Sequence, residues 1–166
     1  MSGVIKKNFG IFNAAQFKEA FDEASPSRVY LFVGGVQPFA NDSNVPTPVE
    51  STQTTDYDIF RSLIAAKKVR ATDVSHSIPR YNWVSGTVYT EYDNRRNLFS
   101  NNFYVYTDDR NVYKCLFNNK GAASTNKPTG TPTSQIITQG DGYKWKYMYT
   151  ISGAEENKFA TSVQIP

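Results

Sequence analysis

The stretch Gly140–Ile151 constrains the fold of this chain more than any other. It reads Gly-Asp-Gly-Tyr-Lys-Trp-Lys-Tyr-Met-Tyr-Thr-Ile. Tyr143, Trp145, Tyr147, Tyr149 and Ile151 alternate with Lys144, Lys146, Met148 and Thr150. A period of two marks a β-strand, because successive side chains leave a strand on opposite faces. The aromatic set is expected to face a core with Trp83 among its neighbours, and the lysines to face away from it. Gly140-Asp141-Gly142 ahead of the run is a turn signal.

Aromatic residues make up 14% of the 166 residues, mostly Tyr and Phe in period-two segments. That suits a β-rich domain. The length fits one domain over 1–166. A hydrophobic content of 39% and a net charge of +3 argue against disorder and against a dedicated polyanion binder. Nucleic acid is therefore not an expected partner. Cys115 is the single cysteine, which excludes an internal disulfide and any multi-cysteine metal site. Within Tyr113-Lys114-Cys115-Leu116-Phe117 it reads as a small buried hydrophobe. Met1–Gly10 lacks the apolar region of a signal peptide, and no apolar run approaches the ~20 residues of a membrane span. The expectation is a soluble protein made in a cytoplasm, with no membrane partner.

Along the chain, Asn13-Ala14-Ala15-Gln16 has the form of a capping box, followed by Phe17, Ala20, Phe21 and Ala24 at helical spacing. This predicts a helix over about 14–24, stopped by Ser25-Pro26. Arg28-Val29-Tyr30-Leu31-Phe32-Val33 reads as a central strand buried on both faces, ended by Gly34-Gly35. Residues 37–52, with prolines at 38, 46 and 48, predict a long exposed loop. Thr55 with Asp58 offers a second cap, before a helical stripe of Ile59, Phe60, Leu63 and Ile64. Strands and turns come next. Residues 103–106 and 112–116 flank Thr107–Asn111 as a hairpin, 118–133 is a second long loop, and 135–138 joins the Tyr143 strand. Ser152 with Glu155 caps a last helical turn. The fold class is α+β: mostly antiparallel β-sheet, two or three short helices and two long loops.

Catalytic chemistry finds little material. His76 is the only histidine, so a histidine-rich zinc site cannot be built, and its neighbours Asp73, Ser75 and Ser77 are too close in sequence to form a triad. Asp108-Asp109 reads as a hairpin turn, without calcium-loop spacing. Aromatics beside Lys144 and Lys146 suggest base stacking, yet on a strand they face opposite ways and cannot share one ligand. Exposed aromatics on a β scaffold could instead stack on sugar rings. No catalytic, metal or cofactor residue is assigned.

Several segments, read in order, carry a resemblance. They are Val29–Phe39, Ile78-Pro79-Arg80-Tyr81-Asn82-Trp83, Val112-Tyr113-Lys114-Cys115-Leu116 and Gly140–Tyr147. Together they resemble the N-terminal part of a baseplate wedge protein of T-even-type contractile-tailed phages, the wedge component found there as a homodimer. The resemblance spans residues 29–152, and its most specific pieces are Pro-Arg-x-x-Trp and Gly-Asp-Gly-Tyr-x-Trp-x-Tyr. Tyr106–Cys115 is also similar to wedge proteins of marine and cyanobacterial phages. Chains of that family are considerably longer, so contacts made by their C-terminal region are not carried over. The resemblance implies a non-enzymatic structural component of the virion's tail baseplate, made in the host cytoplasm. Its implied partners are other wedge proteins, and a homodimer is one assembly it allows. The alternative is a carbohydrate- or receptor-binding module of a virion. Phe39, a lone aromatic among Pro, Asn and Ser, is the residue expected to anchor an interface.

Overall fold

The computed structural model describes residues 7–23, 25, 28–35, 41, 43, 44, 47 and 52–166. The chain divides into two compact units, Met1–Ser75 and His76–Pro166. The described residues form three α-helices and eight strands in three small sheets, an α+β fold dominated by sheet. The strand pairs are antiparallel throughout.

The first unit contains helix α1 (Lys7–Glu19), strand β1 (Tyr30–Gly34), helix α2 (Thr52–Ser62) and strand β2 (Leu63–Lys68). Helix α1 begins well before the capping box expected at Asn13. A single interior glycine, Gly10, costs only about 1 kcal/mol and does not stop a helix. Gln16 accordingly caps nothing; its side-chain amide donates to Glu19 Oε2 at 2.8 Å. The helix closes through tighter turns, with Phe21 N–H donating to Lys18 O and Asp22 N–H to Glu19 O.

Leu63 and Ile64, expected on the stripe of α2, belong instead to β2. That strand pairs with β1 from Tyr30↔Lys68 to Gly34↔Leu63. Helix passes directly into strand at Ser62, whose hydroxyl donates to Ile59 O at 2.8 Å. Gly34 permits this close junction, since a Cβ there would lie 2.9 Å from Ser62 O. β1 also departs from expectation: it is half of a two-stranded ribbon, exposed along its whole length, and not a buried central strand.

The second unit is built on a four-stranded sheet of order β4-β5-β7-β6. Its strands are β4 (Tyr104–Tyr106), β5 (Asn111–Phe117), β6 (Ile137–Thr138) and β7 (Lys144–Thr150). The hairpin read from the sequence is present. Thr107 N–H donates to Asn111 O across the turn, and Arg110 takes a left-handed φ of 62°. One face of the sheet packs Tyr113, Cys115, Tyr143 and Trp145 with Tyr89, and Trp83 joins this cluster as expected. The other face packs Tyr104, Tyr106, Val112 and Ile151 with Ile165. Beside the second cluster lie helix α3 (Gly153–Phe159) and the short ribbon of β3 (Ile78–Pro79) with β8 (Gln164–Ile165). Ser152 caps α3 as read from the sequence, in a reciprocal box with Glu155.

Tyr149 is the exception to the aromatic alternation. A bulge sets Tyr147 opposite Tyr113 but Tyr149 opposite Val112, so Met148 has no partner on β5. The extra residue transfers Tyr149 to the opposite face, where it is 38% exposed and its hydroxyl donates to Pro166 O at 3.0 Å.

Candidate functional site

The residues singled out for chemistry are dispersed. Cys115 is fully buried, and burial, with a smaller contribution from the charge of Glu91, pushes its thiol up to about 12. A thiol so placed is almost never ionised and is a poor nucleophile. Iodoacetamide at pH 8 is therefore expected to leave Cys115 unmodified in the native chain and to alkylate it fully after urea unfolding. Rapid native alkylation, read by intact mass, would contradict this placement. His76 is exposed at the start of the second unit. Asp73 is held by Lys67 Nζ at 2.9 Å and by Arg70 N–H at 3.1 Å. Asp108 and Asp109 form the hairpin turn, where Lys127 Nζ binds them at 2.6 and 3.2 Å. Among the described residues, no group of three or more His, Cys, Asp and Glu side chains could hold a metal ion. Tyr143 and Trp145 are sealed in the core, so neither can stack on a base.

Phe39 and most of the 37–52 loop lie outside the described residues. The other long loop, 118–133, is fastened to the sheet. Asp141, in the turn before β7, accepts at Oδ2 from Thr125 N–H (2.8 Å), Asn126 N–H (2.9 Å) and the Ser124 hydroxyl (3.1 Å). Its Oδ1 accepts from Tyr143 N–H at 3.1 Å. Burial alone would raise this carboxyl. The backbone hydrogen bonds from Asn126, Tyr143 and Thr125, with that from the Ser124 hydroxyl, outweigh burial and hold it below its ordinary value. Gly142 completes the clasp with φ +83°, and a Cβ there would lie 2.9 Å from Asn119. Further fastenings are Tyr143 Oη to Ala122 O, Tyr113 Oη to Gly130 O, and Lys146 Nζ to Thr133 O.

Two surfaces remain as candidate sites. The first is apolar and belongs to the first unit. Phe9, Ile11, Phe12 and Phe17 of α1, Tyr30–Val33 of β1, Tyr57, Ile59 and Phe60 of α2, and Ile64 of β2 are each more than half exposed. At 100° per residue the four apolar side chains of α1 point to all sides of the helix. Phe21 is the one large apolar side chain of this unit that is buried among the described residues. Polar residues stand between the four on α1, so that helix has no single apolar face that one neighbouring element could cover, and an apolar surface of this extent ordinarily meets a partner.

The second surface is a groove of about 420 Å³ in the second unit. The Pro-Arg-x-x-Trp segment builds one side. Tyr106 N–H donates to Tyr81 O and Trp83 N–H to Tyr106 O, laying residues 81–83 parallel to β4. Arg80 and Asn82, two residues apart in extended chain, fall on one side, and Arg80 Nε donates to Asn82 Oδ1 at 2.8 Å. The Arg80 guanidinium lies 5.0 Å over the ring of buried Tyr106. The Tyr106 hydroxyl donates to Glu156 Oε1 of α3 at 2.7 Å. Burial, then this carboxylate, pushes the phenol up to about 12, so it stays protonated and remains the donor. Trp83, Thr107, Asp108 and Lys127 complete the lining.

In the sequence, Pro-Arg-x-x-Trp carries a resemblance and no assigned site. The spacing of Arg80 and Asn82 is the signal that was present. Glu156 and Lys127 reach the groove only through the fold. No helix among the described residues is long and apolar enough to cross a membrane. No protein-family model matches this chain, and the curated proteins contain no match to it.

Proposed function

We propose that this chain is a structural subunit of a phage tail baseplate wedge, located in the virion and acting by assembly with other wedge proteins, without catalysis. The observation that supports it is the uncovered apolar surface of the first unit. Helix α1 and the β1–β2 ribbon expose side chains that normally form a core, and an assembling neighbour is the natural source of the missing cover. The colinear segments over 29–152, which resemble the wedge family, are what point this reading to a baseplate. A homodimer is one way to provide the cover, and heterologous wedge contacts are another.

The test is co-assembly of the purified chain with the other baseplate components. Phe12→Ser and Leu31→Ser remove side chains already exposed, so each is expected to change chain stability by less than about 0.5 kcal/mol. Each is expected to weaken assembly by about 2 kcal/mol, roughly 30-fold, as for the loss of an interface anchor. Unchanged assembly by both variants, or glycan binding by the wild-type chain without any protein co-assembly, would count decisively against the wedge reading.

A second reading, a carbohydrate- or receptor-binding module of the virion, draws on the groove of the second unit. There Trp83 and Tyr106 sit beside Asn82, Asp108 and Glu156.

A further inference from the structure

Arg80 is the cation of the groove without an anionic partner. Lys127 is already bound to Asp108 and Asp109. Arg80 donates from Nε to Asn82 Oδ1 and from one Nη to Thr161 O at 3.1 Å, and among the described residues no carboxylate lies within ion-pair range of it. A guanidinium carries five N–H donors, so these two bonds leave the outer edge of the fork available. The Tyr106 ring beneath and the bonds to Asn82 and Thr161 hold that edge in place. A fixed fork of this kind suits a planar carboxylate.

The rest of the lining narrows the ligand. Glu156 accepts from Tyr106 through Oε1, leaving Oε2 for a donor. Asp108 and Glu156 repel a doubly charged phosphate about twice as strongly as a singly charged carboxylate, and they accept readily from hydroxyl groups. Trp83 offers an apolar wall, its indole N–H bonded to Ser124 Oγ at 3.3 Å. The residues other than the two aromatics carry polar or charged ends, while most of the wall itself is apolar, a combination that suits a sugar ring with its hydroxyl edge and apolar face. The volume of about 420 Å³ lies in the ~300–1,000 Å³ range of small-ligand pockets.

We infer that this groove binds an acidic saccharide, a sugar ring bearing a carboxylate. The carboxylate meets the outer edge of Arg80, ring hydroxyls donate to Glu156 and Asp108, and an apolar ring face lies against Trp83. The inference rests on the receptor-binding reading, to which it adds the ligand class, and it makes no use of the apolar first unit.

The experiment uses the whole chain at pH 7, with D-glucuronate, D-glucose and N-acetyl-glutamate amide as probes, read by saturation-transfer NMR and titration. Glucuronate is expected to show saturation of its ring protons and to bind at least about tenfold tighter than glucose, since a charge-assisted pair is worth about that factor. Arg80→Gln is expected to remove that preference while amide dispersion stays native. Should Arg80→Gln fail to fold for want of its bond to Thr161 O, the glucuronate-to-glucose ratio on the wild-type chain still decides. Equal binding of glucose would overturn the acidic class while leaving the receptor-binding reading standing. Binding of neither sugar would overturn both, and tighter binding of N-acetyl-glutamate amide would replace the sugar by a peptide carboxylate.

Discussion

Trp145→Ala is expected to destabilise the second unit by about 3–5 kcal/mol, the usual range for emptying a large buried aromatic site. Trp145 is fully buried, stacked on Tyr143 at 5.5 Å between centroids and edge-on to Tyr89 at the same distance. On β7 it sits between Cys115 of β5 and Ile137 of β6, so the lost volume lies at the centre of the sheet. Whole domains have stabilities of roughly 5–15 kcal/mol, so this one change removes a large share. Its indole Nε1 has no hydrogen-bond partner among the described residues. Trp145→Phe, which deletes that N–H and keeps most of the ring, is therefore expected to cost clearly less than the alanine change. Urea unfolding monitored by far-ultraviolet circular dichroism measures both. A loss below about 1 kcal/mol for Trp145→Ala would mean that the cluster is not the core of this unit.

The strand that carries Trp145 was legible because its information is local. Alternation from Tyr143 to Tyr147, the hairpin around Thr107–Asn111 and the Ser152–Glu155 cap each depend on a few neighbouring residues. The structure has all three. Tyr149 was not legible, since one unpaired residue at Met148 reverses the face of the residues after it and leaves no mark in the pattern. Leu63 and Ile64 fit a helical stripe equally well as strand residues, and only the apolar partner β1 decides for the strand. β1 misled in the opposite sense. A continuous apolar run states that a strand needs cover on both faces, and it does not state whether the same chain supplies it. The Arg80 and Asn82 side of the groove could be read from spacing. The Glu156 and Lys127 side could not, because α3 and the 118–133 loop reach it from distant parts of the chain.

Asp141→Ala is expected to cost about 3 kcal/mol at pH 7, judged from the ~1.5–3 kcal/mol of a hydrogen bond to a charged group and the penalty for stranding buried donors. The loss is not the sum over all four donors. Thr125 and Asn126 are exposed, so water can replace the carboxylate at their N–H groups, whereas Ser124 and Tyr143 are buried and water cannot readily reach them. The pH dependence separates this from a packing effect. The folded carboxyl lies below its ordinary value, so its contribution is complete above the unfolded value of about 3.9 and is lost as pH falls through the lower folded value. The gap in urea midpoint between wild type and Asp141→Ala should therefore be full at pH 7 and narrow as the pH falls below about 4. A gap of equal size at neutral and strongly acid pH would show that the charge of Asp141 is not what fastens the 118–133 loop. A narrowing gap, with the loop becoming protease-sensitive in the variant, would establish Gly-Asp-Gly as a clasp: the turn that starts β7 also holds down the loop bearing Lys127, one of the walls of the groove.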